Sequence, residues 1–319
     1  MPERPRRPCE NRLHGERRPP PATPAARLGA AGRAASPSAV RRVSFSRRTR
    51  AQRDRVTTTA RAGDASPGTV AAFDLDGTLT TGGSVVPFLV AVRGLLPVVG
   101  ALLATLPRLA SAAVAGGSRA DSAKESLFIR LLGGLPARRV DQVAASFAER
   151  HLRRRLRADA LARLEWHRSE GHAVVLVSAS PECYVRRIGE LLEVDGVVAT
   201  RLAVDAAGLL TGRYEGKNCR GAEKYARTMT WLRTSSLAGN GRPQPVLWAY
   251  GNSRGDLRLL DAADHGVNAG RLGRLGRLRR YPSLAAVAGG SATARTAEPV
   301  TRGTPPRPPR GPRSSRRTS

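Results

Sequence analysis

Three short apolar runs, each ending in small polar residues, constrain this chain more than any other feature. Residues 69–73 (TVAAF) run into DLDGTLT, residues 172–180 (HAVVLVSAS) end on serine, and residues 245–253 (PVLWAYGNS) end on Gly-Asn-Ser. Each has the length of a buried strand and is bounded by Gly or Pro. Helical patterns separate them. None of the runs shows the polar/apolar alternation of a half-exposed strand, so they predict an α/β fold with a parallel sheet covered by helices on both faces. Such sheets bind ligands at the carboxyl ends of their strands. The polar residues of all three runs sit at those ends.

Between the runs, Leu152, Leu156, Ala160 and Leu164 recur every four residues and predict a helix over 151–170. Arg153, Arg154, Arg155 and Arg157 then read as its solvated face. After the second run, Pro181 stands where a first-turn proline belongs and Ser180 where a cap belongs. Val185, Ile188, Leu191 and Leu192 supply an apolar stripe behind them.

The 319 residues allow one large domain or two small ones. The formal charge of +29 is concentrated at the ends: +11 in residues 1–68, +11 in 266–319 and only +7 between them. Residues 1–68 and the stretch from 286 onward mix Arg, Pro, Ser, Thr and Ala and cannot bury enough apolar surface to offset ordering entropy. Both are expected to be disordered. The first segment has no apolar core of a secretory signal, so the expected location is cytoplasmic. It superficially fits a transit peptide or a nucleic-acid arm. However, only Lys124, Lys217 and Lys224 among the 54 basic residues are lysines, a bias that reads as coding-DNA composition. The next methionine after Met1 is Met229, which leaves the true translation start open. Aromatic residues make up 4% of the chain, against a nucleic-acid reader built on stacking. No specific nucleic-acid partner is expected. Cys9, Cys183 and Cys219 show no metal-ligand spacing, which excludes a disulfide framework and a structural zinc site.

Residues 84–118 are strongly apolar, interrupted by Arg93 and Arg108. Their longest charge-free run, Gly94 to Pro107, has 14 residues, short of the ~20 that span a bilayer. A helical cap packed on the core is expected, with peripheral membrane contact as a second reading.

Asp74 and Asp76 follow the first run two residues apart, so both can enter one site as the strand gives way to a loop. Close carboxylates repel unless one is protonated or both meet a cation, and Mg²⁺ would satisfy them. A turn that merely closes the strand is the simpler reading of this motif alone. The other strand ends remove most of its appeal. DLDGTLT, the SAS at 178–180, the lysine of GAEK at 224 and GNSRGD at 251–256 stand in the order of the four motifs of haloacid dehalogenase-like phosphatases. The sequence resembles the branch that includes phosphoserine phosphatase, over about residues 69–285.

That resemblance implies a Rossmann-like core at 69–83 and about 160–285, with a helical cap at about 84–159 inserted after the first strand. It implies a phosphatase in which Asp74 is the nucleophile and Asp76 the general acid and base. Ser178 and Lys224 would bind the phosphoryl group, and Asp74, Asp76, Asn252 and Asp256 would hold the Mg²⁺ cofactor. Ser178 at a strand end before a helix suits an anion. Lys224 in the first turn of a helix opposes the helix dipole and so calls for an anionic partner, which favours it over Lys217.

Departures from the family pattern matter as well. Asn252 replaces the usual aspartate. Gly83 and Phe128 stand where phosphoserine-specific members carry the glutamate and arginine that grip the amino acid, so phosphoserine is not the expected substrate. An apolar cap (Val85–Leu106, Leu127, Phe128, Ile129) would favour a less polar phosphorylated small molecule or a lipid head group. Lys124 and Arg130 read mainly as surface charges. Two other readings compete: a catalytically weak or dead member, from Asn252, and a binder of anionic surfaces or nucleic acid through the basic ends. Oligomeric state is not legible.

Overall fold

The computed structural model describes residues 68–115, 117–235, 244–270 and 276–288, with side chains outside 107–118. The segments 1–67 and 289–319, expected to be disordered, lie outside the described residues. Five strands form one parallel sheet: β1 (Thr69–Phe73), β2 (Ala173–Pro181), β3 (Gly196–Thr200), β6 (Val246–Gly251) and β7 (His265–Asn268), in the spatial order β3-β2-β1-β6-β7. A separate antiparallel hairpin pairs β4 (Leu202–Val204) with β5 (Leu210–Tyr214). The three runs read from the sequence are therefore the three adjacent central strands. β1 lies in the middle, with Phe73 in register with Leu176 on one side and Tyr250 on the other. This adjacency brings the polar strand ends together.

Successive side chains of a strand point to opposite faces, and here both faces are covered. Val70, Ala72, Val175, Val177, Leu247 and Ala249 join one apolar cluster. It is closed by Leu232 of α7 (Ala222–Thr234), Leu259 and Leu260 of α8 (Leu257–Ala262), and Leu278 of a 3₁₀ turn (Gly276–Arg280). Ala71, Phe73, Val174, Leu176 and Tyr250 face a second cluster. Ala160 and Leu164 of α5 (Ala158–Ser169), Val185 and Ile188 of α6 (Glu182–Leu191), and Leu284 of α9 (Leu284–Ala288) complete it. The Rossmann-like architecture expected from the sequence is present. α9 overlaps the first residues of the segment expected to be disordered from 286.

Between β1 and β2 come α1 (Val85–Arg93), α2 (Leu95–Ala115), α3 (Gly117–Leu132) and α4 (Ala137–Arg155). Gly94, at φ 84°, separates α1 from α2, so the apolar stretch folds as consecutive helices. Among the described residues no helix is long and apolar enough to cross a membrane. α3 packs on α2 and on β5 of the hairpin.

Two expectations are corrected. The helix predicted over 151–170 is two helices, because Leu156 and Arg157 are extended. The Arg157 N–H donates to the Leu79 carbonyl at 2.9 Å, a bond that a continuous helix would forbid. Pro181 is the last residue of β2, and α6 starts one position later at Glu182. The Ser180 hydroxyl does not cap that helix; it turns to Asp76.

Candidate active site

The carboxyl ends of β1, β2 and β6, with the first turn of α7, enclose a cavity of about 180 Å³. Asp74, Asp76, Ser178, Lys224, Asn252 and Asp256 all line it, so all six residues singled out from the sequence meet in one place. Ala179, Arg220, Ser253 and Gly255 complete the lining. Lys217 is exposed and contributes nothing to it.

Lys224 is fully enclosed and donates to Asp74 Oδ1 at 2.7 Å and to Asp256 Oδ1 at 2.6 Å. Burial pulls its pKa down, but the two carboxylates outweigh burial and hold it well above the ordinary lysine value. Burial likewise pushes Asp256 up. Lys224 and the donors of Ser253 reverse this and keep Asp256 below the usual carboxylate range. Its other oxygen, Oδ2, accepts from the backbone N–H groups of Asn252 and Ser253 and from the Ser253 hydroxyl. Asp74 fares differently. Burial, reinforced by the negative charge of Asp256 and opposed by Lys224, pushes it up to about 7.

Asp76 is oriented by hydroxyls. Its Oδ2 accepts from Ser180 Oγ at 2.5 Å and from Ser84 Oγ at 2.9 Å, while the Tyr184 hydroxyl lies 2.8 Å from Ser84 Oγ. Its Oδ1 is buried with no hydrogen-bond partner among the described residues. Ser84 was not foreseen as a site residue, and nothing in the sequence but its position at the mouth of α1 marks it. Ser178 is buried, and its Oγ accepts the Ser180 N–H at 3.1 Å.

The loop after β1 depends on Gly77. Its φ is +82°, and a Cβ there would come within 1.9 Å of Asn252 Nδ2. Only glycine tolerates both the backbone angle and this approach. The carbonyl of Gly77 accepts from Arg157 Nη1 at 3.0 Å, and the same guanidinium group bonds the Ala269 carbonyl and pairs with Asp159. Arg157, read as part of a solvated face, is buried and ties the catalytic loop to the end of β7. Arg153, Arg154 and Arg155 are exposed as expected.

Lys124 of α3 is also more than a surface charge. Its ammonium donates to the Ala179 carbonyl and to Asn218 Oδ1, both at 2.8 Å, linking the cap to the end of β2 that carries Ser178 and Ser180. Burial pulls it down to about 8. Arg130 is exposed. Phe128 is wholly buried inside the cap and Gly83 lies at the surface, so neither reaches the cavity. The lining residues come from the strand ends and the loop into α7, while Leu127 and Phe128 pack within the cap.

Magnesium chemistry can be tested against these residues. Three carboxylates, Asp74, Asp76 and Asp256, share the cavity with two cations, Lys224 and Arg220, which leaves room for a further positive charge. Carboxylate and amide oxygens are the hard donors that Mg²⁺ takes, so the residues fit. They are not a preformed cage: no set of three His, Cys, Asp or Glu is gathered at ligand spacing among the described residues.

A parallel α/β sheet whose central strand ends in a lysine-paired aspartate, under a helical insertion, defines a class of hydrolase. Comparison with known proteins gives the family. Residues 71–261 match the haloacid dehalogenase-like hydrolase family. The chain is 31% identical over 193 residues to protein CicA of Caulobacter vibrioides, covering 60% of this chain and 82% of that protein. A Streptomyces azureus inhibition of morphological differentiation protein is 34% identical over 115 residues, 35% of this chain and 39% of that one. Among solved structures, a Bordetella pertussis protein of unknown function matches with a TM-score of 0.56 and 22% identity, covering 68% of this chain and 98% of that one. The chain belongs to the haloacid dehalogenase-like hydrolase family.

Proposed function

We propose that the chain is a Mg²⁺-dependent phosphomonoester hydrolase that works through an aspartyl-phosphate on Asp74, within a phosphatase-like domain at 69–285. The observation that carries this reading is the division of labour between two aspartates two residues apart. Asp74 is paired with a buried lysine, whereas Asp76 is aimed by two hydroxyls and keeps one oxygen unengaged. A carboxylate oxygen of Asp74 attacks phosphorus as the ester oxygen departs with a proton from Asp76. Water then attacks the aspartyl-phosphate, Asp76 takes its proton, and inorganic phosphate leaves. Ser178 donates to a phosphoryl oxygen and Lys224 offsets its charge. Asp74, Asp76, Asn252 and Asp256 would hold the ion, which when bound neutralises charge on the carboxylates and the phosphoryl group.

The proposed substrate is a phosphorylated small molecule or lipid head group. A cavity of about 180 Å³ accommodates little beyond the phosphoryl end, so the remainder would extend past Arg220 toward the cap. The reading is tested by hydrolysis of an aryl phosphate with Mg²⁺. Wild type should turn over and Asp74→Asn should not, because an amide is no nucleophile at neutral pH. Equal turnover by both would sink the assignment.

A further inference from the structure

The cap carries a surface that the proposed chemistry does not use. Leu95, Leu96, Val99, Leu103 and Leu106 of α2 are 62, 84, 41, 60 and 52% exposed. Residues 95, 99, 103 and 106 fall on one helical face, with Leu96 beside them at the tip. On the other side of the same helix, Val98, Ala101 and Thr105 are buried in the cap. The exposed leucines are therefore not a fraying end; they are the outer face of a helix whose inner face is anchored. A contiguous apolar surface of this kind marks an interaction site.

Charge identifies the occupant. From Ser84 through Ala120 the sequence contains no acidic residue, and its only charges are Arg93, Arg108 and Arg119. Arg93 is exposed at the corner between α1 and α2, next to Leu95 and Leu96, with its Nε donating to the Leu131 carbonyl. A second copy docked through this face about a two-fold axis would bring arginine toward arginine, with no carboxylate in the stretch to pair. A bilayer surface bearing anionic head groups satisfies both features: leucines enter the acyl boundary and arginines meet phosphates. We propose that the α1–α2 corner and the outer face of α2 rest on an anionic membrane surface without crossing it. This inference stands independently of the phosphatase reading.

The test is co-sedimentation of the full chain with vesicles of equal parts phosphatidylglycerol and phosphatidylcholine, at low and high salt. The Arg-rich segments at the two ends will bind such vesicles by charge alone, so the informative comparison is with Leu96→Glu/Leu103→Glu. The double variant should lose about tenfold or more in vesicle affinity, with the difference persisting at high salt, since burial of apolar area is not screened. Leu96→Trp, which keeps the face apolar, should be quenched by brominated acyl chains in the same vesicles. Equal binding of wild type and the Glu variant, or no binding by wild type, overturns the proposal. So does an unquenched Leu96→Trp. A solution dimer that the Glu variant dissociates, without vesicle binding, would assign the face to a second copy instead.

Discussion

The cavity at the strand ends and the sheet face beneath α5 bury ionisable groups in opposite ways. At the carboxyl end Lys224 holds two aspartates, Asp76 keeps a buried oxygen without a partner, and Asp74 is raised to about 7. Beneath α5 the buried groups satisfy one another. Arg163 lies 3.8 Å from the Trp166 ring centroid and 4.8 Å from that of Trp248, and its Nε donates to the Tyr250 hydroxyl. His167 contacts that hydroxyl through Nε2 at 2.7 Å and His172 through Nδ1 at 2.8 Å. Arg163, the Tyr250 hydroxyl, His167 and His172 thus form one continuous hydrogen-bonded chain. The contrast teaches where strain is tolerated. The face beneath α5 satisfies its polar groups and stabilises the fold; the cavity leaves charge unbalanced where a phosphate and a cation would complete it.

Removing the central cation of each cluster should expose this difference most strongly. Lys224→Met leaves two buried carboxylates facing each other and should cost about 3–5 kcal/mol of stability, together with loss of aryl-phosphate turnover. Arg163→Met should cost about 2 kcal/mol through the lost cation–π and hydrogen-bond contacts, with turnover preserved. Urea unfolding and initial-rate assays on both variants measure the pair. Loss of turnover in Arg163→Met at full folding would erase the distinction between the two clusters.

The cluster beneath α5 also makes a pH prediction. Burial, and then the charge of Arg163 and the neighbouring His172 and His265, lowers His167 to about 3. The unfolded chain takes up a proton near the ordinary histidine value, while the folded chain refuses it until about 3. Stability is therefore complete above about pH 6.5 and falls as pH drops below it, by up to about 1.4 kcal/mol per unit. Urea midpoints between pH 7.5 and 5 should show that slope, and His167→Gln, less stable throughout, should flatten it. An unchanged slope in the variant would place the titration elsewhere.

A further effect, on metal affinity and not on stability, lies at Asn252. A neutral amide oxygen in place of a carboxylate weakens attraction for a nearby divalent ion by roughly 1–4 kcal/mol. Wild type should hydrolyse aryl phosphate but need high Mg²⁺, and Asn252→Asp should lower the half-saturating concentration. Activity in the variant alone would support the reading of a catalytically dead member.

Much of this molecule is legible in its sequence because the central strands are continuous apolar runs and the polar residues at their ends are unusual. What escapes is whatever long-range contact decides. β3 and β7 are edge strands that end in no polar motif of the kind that marks β1, β2 and β6, and β4 has only three residues. The break at Leu156–Arg157 was hidden by an unbroken four-residue leucine spacing. It arises only because Arg157 is required at the carbonyls of Leu79 and Gly77. An arginine within an arginine run gives no sign of being the buried one. Ser84 and Ser180 escaped for the same reason: what they do depends on Asp76, which lies 8 and 104 residues away from them in the chain.

The central claim is that Asp74 and Asp76 divide attack and proton transfer. It is tested most directly by acid-quenched single turnover with a ³²P-labelled aryl phosphate, comparing wild type, Asp74→Asn and Asp76→Asn. The account predicts label on the wild-type protein during turnover, none on Asp74→Asn, and label that forms and then persists on Asp76→Asn, because the leaving group needs no acid but the hydrolysing water needs a base. Label retained on Asp74→Asn, or cleared from Asp76→Asn at the wild-type rate, would contradict it.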